Sequence, residues 1–571
     1  MFRKSESAQK TPLRSVIALL LVLALLFSGC TSIRLNSVPA KDDDDGTKPT
    51  QTQTDPDNLP DPNRQYHYQE AELSYTLTEA DVTAFYQALS DFEALVKITT
   101  NANTVLQAYD ELDALFMKLA TQSSVASVLY YCDLTDEAAS DQYLDSQKIV
   151  TEAQDAYIEA FRRIYQADVP TKAQLFADWT EADLLMLEKY TSEITQLKQR
   201  NSEIEVAYQS IQDDPQFTTK MVPLFLEKVA NNNRIAQILG YDNYYEYAYT
   251  MEYDRDYDAQ QVEAMRSYAA TYLVPTLQQS LQKYYTAAIS LNTSDSTLLA
   301  TLLYGSYQDT ETPYVVNYID TLPLYARESM LDMFDGNILI MDDTSSAREG
   351  AFTTIVDEDR MLCFYGPGYS NSLTVIHEAG HYYGGTFTFL NDIPLDLAEV
   401  HSQANELLFI NYLKDELSAT AYQTLLYYQL FSQNATILLS LAVDEFEQRV
   451  YAHQDPLSLT ADDLYAIMEN VCQKYGGSQF FTNCSLISPH EYWQYVVVEQ
   501  PVYYISYAVS AVAAIDLYTV AAQDHDNGIV IYTQLIEDSD HTKGFLNCLQ
   551  NAGLSGPFEE SVYQKIYALV A

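Results

Sequence analysis

Residues 374–381 read T-V-I-H-E-A-G-H, and this segment is the most informative one in the 571-residue chain. It contains no proline and one glycine, so it favours a helix. His377 and His381 are four residues apart and would lie on one face of that helix. Two neutral imidazoles at this spacing can share one Zn²⁺, and Glu378 would lie where a base can take a proton from water. The segment predicts a catalytic zinc site; the alternative is a surface helix with two scattered histidines.

A catalytic zinc site takes three protein ligands, so a second helix should supply the third. Residues 398–406 read A-E-V-H-S-Q-A-N-E and follow Pro394, a favourable residue for the start of a helix. Glu399 and Glu406 are seven residues apart and would share a face of this helix. We predict Glu399 as the third ligand. Three roles stay open for Glu406: an acceptor that orients a ligand histidine, the ligand itself, or an exposed side chain.

The two segments together, T-x-x-H-E-x-G-H and A-E-x-x-S-x-x-N-E, resemble the thimet oligopeptidase and oligoendopeptidase F family of zinc metallopeptidases. In that family the glutamate before x-x-S is the third zinc ligand, which implies that role for Glu399. The gap between the segments is several residues shorter here, so the choice between Glu399 and Glu406 stays open. The resemblance implies two helical lobes around a deep substrate channel, and hydrolysis of internal bonds in short peptides.

Composition also favours a mainly α fold. The chain has only 17 glycines and 18 prolines, and periodic apolar stretches recur along it. In N-R-I-A-Q-I-L-G-Y, Gly240 is expected to end a helix. The chain is long enough for more than one core, so we expect an N-terminal helical lobe over 66–225 and a catalytic helical region over 226–571. The clearest helical candidates are Glu79–Lys97, Thr104–Ala120, Asp141–Tyr165, Glu181–Gln212 and Asp258–Ser290.

One region favours strands. Residues 350–356 read G-A-F-T-T-I-V and residues 360–365 read R-M-L-C-F-Y, which predicts a small antiparallel hairpin next to the zinc helix. In the resembled family a Gly-Ala-Phe segment lines the cleft, which implies substrate contacts for Gly350, Ala351 and Phe352. A strand edge there could pair with the backbone of an extended peptide. The alternative is a structural hairpin that touches no substrate.

A tyrosine-rich segment follows later in the chain. Residues 500–508 read Q-P-V-Y-Y-I-S-Y-A, and we expect a helix on which Tyr503 and Tyr507 share a face. The resembled family has such a helix here, whose phenols donate hydrogen bonds to the oxyanion of the tetrahedral intermediate. The resemblance therefore implies catalytic roles for Tyr503 and Tyr507, and a substrate contact for Tyr504. Because the chain has 48 tyrosines, core packing is the alternative for each.

Two further histidines are candidates. The family has a histidine about ten residues before the last of these tyrosines, where this chain has Val497. His490, in S-P-H-E, is the nearest candidate for that catalytic role. His401 lies two residues after Glu399 and off its helical face, so we expect it to line the site or to contact a ligand rather than to bind the metal.

Residues 1–29 predict a targeting segment. Four basic residues precede a twelve-residue apolar run, Val16–Phe27, which is too short to span a membrane comfortably. The sequence F-S-G-C at 27–30 is similar to a bacterial lipoprotein signal, with cleavage before Cys30 and a lipid on its sulfur. Residues 30–65 then predict a disordered tether at the outer face of the membrane. An ordinary secretory signal or an uncleaved anchor is the alternative.

The charge balance excludes one class of partner. With 80 acidic residues against 31 basic ones, the chain would repel nucleic acid. Besides Cys30, five cysteines are widely scattered and predict no disulfide framework, although a Cys472–Cys484 bridge stays open. The zinc segments, the family resemblance and the targeting segment together predict a zinc metalloendopeptidase held at a lipid bilayer, and the resemblance implies that it acts on short peptides. The alternatives are a lipid-anchored peptide-binding protein without turnover, which would not need Glu378, and a zinc carboxypeptidase of similar helical fold.

Overall fold

The structure is a computed structural model that describes residues 71–571 apart from short gaps. Residues 1–70, and with them Cys30 and the predicted signal and tether, lie outside the described residues. Among the helices that are described, none combines the length and the apolar character needed to cross a membrane. The gaps are 177–183, 185–186, 212–213, 307–312, 337, 358–359, 388–392, 485 and 540–542.

Helices make up most of the described chain, which confirms the predicted mainly α class. Local capping fixes many of their ends: Thr78 and Asp81, for example, form a capping box. Gly240 has φ 104° and ends its helix, as predicted. The α-helices are Glu79–Val96, Ala102–Cys132, Glu137–Gln166, Lys172–Leu175, Ser192–Gln209, Phe217–Leu239, Tyr244–Tyr247, Ala259–Tyr268, Val274–Ala288, Thr293–Tyr304, Pro313–Asp320, Leu324–Asp335, Ser372–Phe387, Leu395–Glu416, Ala419–Tyr451, Ala461–Lys474, Ser478–Asn483, Pro489–Val496, Ile505–Ala521, His525–Glu537, Phe545–Asn551 and Glu560–Ala568. The π-helical turns are Ala248–Glu252 and Ala269–Leu273, and a 3₁₀ turn is Pro456–Ser458.

The described residues form two compact units that alternate along the chain. The first unit takes residues 71–190 and 319–370. The second takes Thr191–Tyr318, Asn371–Phe387 and Ile393–Ala571, so it contains both segments singled out for the zinc site. The predicted division into 66–225 and 226–571 stays a prediction about domains.

The first unit contains the predicted hairpin. Strands β2, Ala351–Asp357, and β3, Arg360–Tyr365, pair antiparallel, with Phe352 opposite Phe364. A third strand, β1 at Leu339–Met341, pairs parallel with β3, so the sheet is mixed rather than purely antiparallel. Three residues are too few to show an alternating pattern in the sequence, and for that reason β1 was not predicted. Helix Ala102–Cys132 packs on this sheet.

Three helices of the second unit position the candidate site. We name them the motif helix, Ser372–Phe387, the glutamate helix, Leu395–Glu416, and the tyrosine helix, Ile505–Ala521. The glutamate helix packs against both of the others. Almost every residue of the glutamate helix up to Leu413 is buried, so its polar side chains point into protein and not into water.

The motif helix and the glutamate helix approach closely at two glycines. A Cβ on Gly380 would lie 2.5 Å from the carbonyl oxygen of His401, and a Cβ on Gly384 would lie 2.5 Å from His401 Nδ1. Glycine inside a helix costs about 0.5–1 kcal/mol relative to alanine. The close approach of the neighbouring helix explains why glycine is used at both positions.

Candidate metal centre

The second unit brings His377, His381 and Glu399 together. One possible ligand atom from each lies within 4.8 Å of the other two, and among the described residues no other set of three or more metal-ligating side chains does this. The two imidazole ring centres are 5.0 Å apart, and His381 Nε2 lies 3.9 Å from Glu399 Oε2. This arrangement supplies two nitrogens and one carboxylate, a donor set found in catalytic zinc sites.

Glu406 contacts the first histidine. Its Oε1 atom lies 2.6 Å from His377 Nδ1, and Gln429 donates a hydrogen bond to its other oxygen. A carboxylate at Nδ1 places the ring proton there and leaves the lone pair on Nε2. Of the three roles left open for Glu406, this geometry matches the acceptor that orients a ligand histidine.

Unsatisfied polar atoms test whether these residues fit a metal. Within the described part of the chain, neither ring nitrogen of His381 has a hydrogen-bond partner, and neither does Glu399 Oε2. All three atoms are buried, and a buried polar atom without a partner costs about 1–3 kcal/mol. A divalent cation between the two side chains would satisfy these atoms, so the residues fit a metal ion.

Burial shifts the pKa of two predicted ligands, His381 and Glu399. It lowers the pKa of His381 well below its ordinary value, and His377 and His401 act in the same direction, so the imidazole is neutral. Burial also raises the pKa of Glu399 to about 7. The charges on Glu378 and Glu406 add to that rise, while His377 and the Tyr503 hydrogen bond oppose it. A bound cation would favour the ionised carboxylate.

Glu378, the predicted base, is completely buried on the motif helix. It is close enough to Glu399 for its charge to raise the pKa of that carboxyl. It therefore lies beside the predicted ligands, while its role as a base stays a prediction.

Tyr503 also reaches the centre, by a different route from the expected one. Its hydroxyl donates a 3.2 Å hydrogen bond to Glu399 Oε1, and its ring is fully buried. The helix expected to carry both Tyr503 and Tyr507 begins later than predicted, at Ile505, so Tyr503 lies on the turn that precedes it. Val502 has φ 61°, which breaks the helical path, yet the Tyr503 and Tyr507 rings still pack 5.3 Å apart.

Tyr504 and Tyr507, the tyrosines that follow Tyr503, are half-buried. The Tyr504 ring centre lies 5.5 Å from that of Tyr507 and 5.8 Å from that of Tyr492. The four rings form one aromatic cluster beside Glu399. The oxyanion role predicted for Tyr507 and the substrate contact predicted for Tyr504 stay predictions.

The two other histidines have partners of their own. His401 is buried, its Nε2 lies 2.8 Å from Ser539 Oγ, and burial lowers its pKa to about 3. It lies between packed helices beside the site and does not belong to the metal-ligating set, as expected. His490 Nε2 lies 2.8 Å from Glu469, and its ring stacks on Tyr465 at 3.9 Å. These contacts connect His490 to helix Ala461–Lys474, and its catalytic role stays a prediction without a supporting contact.

The predicted substrate-binding segment lies in the first unit. Phe352 is buried in its core, where its ring packs 5.8 Å from Tyr131 and 5.1 Å from Phe364. Ala351 is also buried, and Gly350 has φ 114°, a conformation suited to glycine. These contacts favour the structural role for the Phe352 side chain, and the predicted substrate contacts stay untested.

Two side chains that support the site were missed in the sequence. Asn405 Nδ2 donates to the carbonyl oxygen of Ile376 at 2.7 Å and so joins the glutamate helix to the motif helix. Gln403 Nε2 donates to Ser510 Oγ at 3.0 Å and joins it to the tyrosine helix. Both residues lie within A-E-V-H-S-Q-A-N-E at 398–406. Polar residues on an otherwise apolar helix were the sequence feature that could have indicated these contacts.

The helical fold and the His-His-Glu centre define a mainly α protein with a site suited to a catalytic metal. No known protein-family profile matches the sequence, and no curated protein matches it. Solved structures do match the fold. PZ peptidase A with inhibitor 2 aligns at TM-score 0.67 with 18% identity, over 88% of this chain and 98% of that one.

Two oligoendopeptidase F structures give similar matches. A protein assigned as oligoendopeptidase F from Bacillus anthracis strain Ames aligns at TM-score 0.65 with 17% identity, over 89% of this chain and 97% of that one. Oligoendopeptidase F from Enterococcus faecium aligns at 0.52 with 12% identity, over 86% and 96%. The resemblance drawn from the two segments is therefore confirmed at the level of the fold.

Proposed function

We propose that the chain is a zinc-dependent metalloendopeptidase that hydrolyses internal bonds of short peptides. The observation that carries this proposal is the convergence of His377, His381 and Glu399 within 4.8 Å, with Glu378 beside them. The fold, which the chain shares with PZ peptidase A and oligoendopeptidase F, supports the same reading.

His377, His381 and Glu399 would hold the zinc ion, which when bound acidifies water and polarises the scissile carbonyl. Glu378 takes a proton from the attacking water and passes it to the leaving amine. Tyr503 holds Glu399 by its hydrogen bond, and Glu406 fixes the ring of His377. We assign the phenol of Tyr507 to the developing oxyanion; Tyr503 has a single phenolic proton, which can serve the oxyanion only when it leaves Glu399.

The substitution Glu378→Gln tests the mechanism, because it removes the base and changes no predicted ligand. We expect kcat to fall by roughly 10²–10⁴-fold, with zinc content per chain and peptide affinity retained. Unchanged hydrolysis by this variant would contradict the mechanism. Zinc content by elemental mass spectrometry and peptide binding by calorimetry provide the controls.

A short-peptide library separates the two alternatives, with products identified by mass spectrometry. Internal cuts that disappear with a chelator and return with zinc support an endopeptidase. Stepwise loss of C-terminal residues alone would indicate a carboxypeptidase. Binding without any product, at full zinc content, would indicate a binding protein.

We further propose that Cys30 is lipidated and holds the chain at the extracytoplasmic face of a membrane. The support is the basic segment, the apolar run and the sequence F-S-G-C that ends at Cys30. Expression in a bacterial host with a labelled fatty acid tests this proposal. We expect the label on the wild-type chain and its loss in Cys30→Ser; an unlabelled wild-type chain would contradict it.

A further inference from the structure

Two residues other than glycine have positive φ in the described part of the chain: Asp254 at 47° and Val502 at 61°. Aspartate tolerates this region, but a β-branched residue there is an outlier that surrounding contacts must hold in place. Although the two residues are far apart in the sequence, the residue that follows Asp254 binds the carbonyl oxygen of Val502. Residues with positive φ, Asp254 and Val502, therefore lie at the two ends of the contact between Arg255 and Val502.

That contact is made by Arg255. Its Nη2 atom donates to the carbonyl oxygen of Val502 at 2.9 Å, to that of Tyr503 at 3.4 Å and to Ser506 Oγ at 3.0 Å. The guanidinium is buried, and it lies 4.4 Å from the ring centres of both Tyr249 and Tyr253. A cation held between two rings has little freedom to move away from the carbonyl groups that it binds.

Two further contacts hold the same turn. The backbone N–H of Val502 donates to Glu447 Oε1 at 2.9 Å. The Tyr253 hydroxyl donates to the carbonyl oxygen of Pro501 at 2.9 Å. The turn of residues 501–504 is thus fixed from several directions, and it is this turn that carries Tyr503 to Glu399.

Arg255 also faces the glutamate helix. Its Nε atom lies 4.0 Å from Asp396 Oδ1, and Asp396 is one helical turn before Glu399. Burial raises the pKa of Asp396, and both Arg255 and Ser506 oppose that rise, so both lie near this carboxyl group. One buried guanidinium therefore lies against both the helix that carries the predicted ligand and the turn that carries its hydrogen-bond donor.

We propose that Arg255 is a positioning residue that keeps the Tyr503 hydroxyl on the Glu399 carboxylate and so prepares that carboxylate to bind the metal. The inference rests on the proposed metal site and adds a residue outside it. Without Arg255 the turn keeps its contacts with Glu447 and Tyr253 but loses those to the Val502 and Tyr503 carbonyl groups, so the Tyr503 hydroxyl is held less firmly on Glu399. Loss of such an outer hydrogen bond lowers metal affinity by roughly 10–100-fold.

A double-mutant cycle on zinc affinity tests the proposal, because it needs no turnover. Zinc Kd is measured by competition with a chromophoric chelator for wild type, Arg255→Met, Tyr503→Phe and the double variant. We expect each single variant to raise Kd by roughly tenfold or more. We expect the double variant to bind no more weakly than the weaker single variant, because both changes break one linkage.

Arg266→Met is the matched control. Arg266 is another buried guanidinium of the second unit, but it binds Asp444 and Gln448 rather than the turn. We expect it to lower Tm without raising zinc Kd. An equal rise in Kd would mean that any lost buried arginine disturbs the site, and the proposal would fail.

Ser506→Ala keeps the experiment decisive if Arg255→Met does not fold. It removes one acceptor of Arg255 and leaves the buried charge in place. We expect a smaller rise in zinc Kd that disappears in the Tyr503→Phe background. Unchanged Kd in the foldable variants, or effects that multiply in the double variants, would overturn the proposal. Zinc binding without peptide hydrolysis by the wild type would instead refute only the proposed function, and wild type that binds no zinc would refute both.

Discussion

Glu399 and Tyr503 are joined by a 3.2 Å hydrogen bond, yet different kinds of backbone carry them. Glu399 lies on a regular helix, and the histidines that face it lie on another. Tyr503 lies on a turn whose Val502 has φ 61°. The first arrangement follows from helical spacing, whereas the second needs contacts with Arg255 and Glu447 from distant parts of the chain.

The comparison teaches which parts of the centre are robust. A helix holds its backbone through hydrogen bonds between near neighbours, so a single distant substitution should not move the backbone that carries the three predicted ligands. A strained turn has no such local support. We therefore expect metal-ligand substitutions to have large effects, and substitutions in the supporting contacts to have graded ones.

The largest effect is expected for Glu399→Gln, which replaces the carboxylate of the predicted third ligand by a neutral amide. A catalytic metal supplies several kcal/mol and each ~1.4 kcal/mol is tenfold, so kcat/KM should fall by roughly 10³-fold. Glu416→Gln, an exposed change on the same helix, is the control and should leave kcat/KM unchanged. Near-normal activity in Glu399→Gln would show that another residue is the third ligand.

A smaller effect is expected for Glu406→Gln, because Glu406 Oε1 lies 2.6 Å from His377 Nδ1 and we propose that it orients this ring while Glu399 serves as the third ligand. Zinc Kd should rise by roughly 10–100-fold, measured by chelator competition. At saturating zinc, kcat should recover most of its value. A loss as large as that of Glu399→Gln would show that Glu406 binds the metal itself.

Zinc affinity should also depend on pH. Burial raises the pKa of Glu399 to about 7 in the metal-free chain, and only the ionised carboxylate would bind the metal. Affinity should therefore fall by about tenfold per pH unit as pH drops below about 7, since one proton must leave. The neutral form of His381 persists over this range because burial lowers its pKa. Titration of Kd from about two pH units below that pKa to about one unit above it checks the slope, and a flat profile would contradict it.

The pKa of Glu399 also predicts the stability of the metal-free chain. The folded value of about 7 lies above the ordinary value of 4.5, so the folded state binds the proton more tightly. The stabilising contribution is present at pH below the ordinary value and is lost as pH rises through about 7. Metal-free chain should lose roughly 3 kcal/mol from this group over that range. Denaturant unfolding of the metal-free chain at several pH values across this range measures the lost free energy of unfolding, and the same series with zinc is the comparison.

The smallest effect is expected for Ser510→Ala, which removes the acceptor of Gln403 between the glutamate and tyrosine helices. The free energy of unfolding should fall by about 1 kcal/mol, while zinc Kd stays at the wild-type value. Denaturant unfolding measures the first and chelator competition the second. A large change in Kd would show that the packing of these two helices, and not only the turn, sets the metal site.

The residues of the centre that lie on helices could be predicted, because the spacing of residues along the sequence determines which of them share a helical face. His377, His381 and Glu399 were expected to meet, and they do lie together. The function of Glu406 could not be chosen, because residues seven apart share a face whether they bind a metal or a neighbouring histidine. Only the position of the His377 ring distinguishes the two.

The other differences between prediction and structure come from contacts between residues that are distant in the sequence. Strand β1 exists because β3 offers it a partner, and its three residues carry no pattern of their own. The start of the tyrosine helix was misplaced because valine gives no sign of a left-handed backbone. His490 was proposed from its position before the tyrosines, whereas Glu469 and Tyr465 determine its surroundings.

The close approach at Gly380 offers a way to separate folding from chemistry in a selection experiment. A saturation library over residues 374–406, sorted only for folded protein, should recover glycine alone at position 380, because any Cβ would meet the His401 carbonyl oxygen. The same sorted population should accept many residues at Glu378. Sorting for peptide cleavage would then restore glutamate there, so the two selections would divide one short segment into its architectural and its reactive positions.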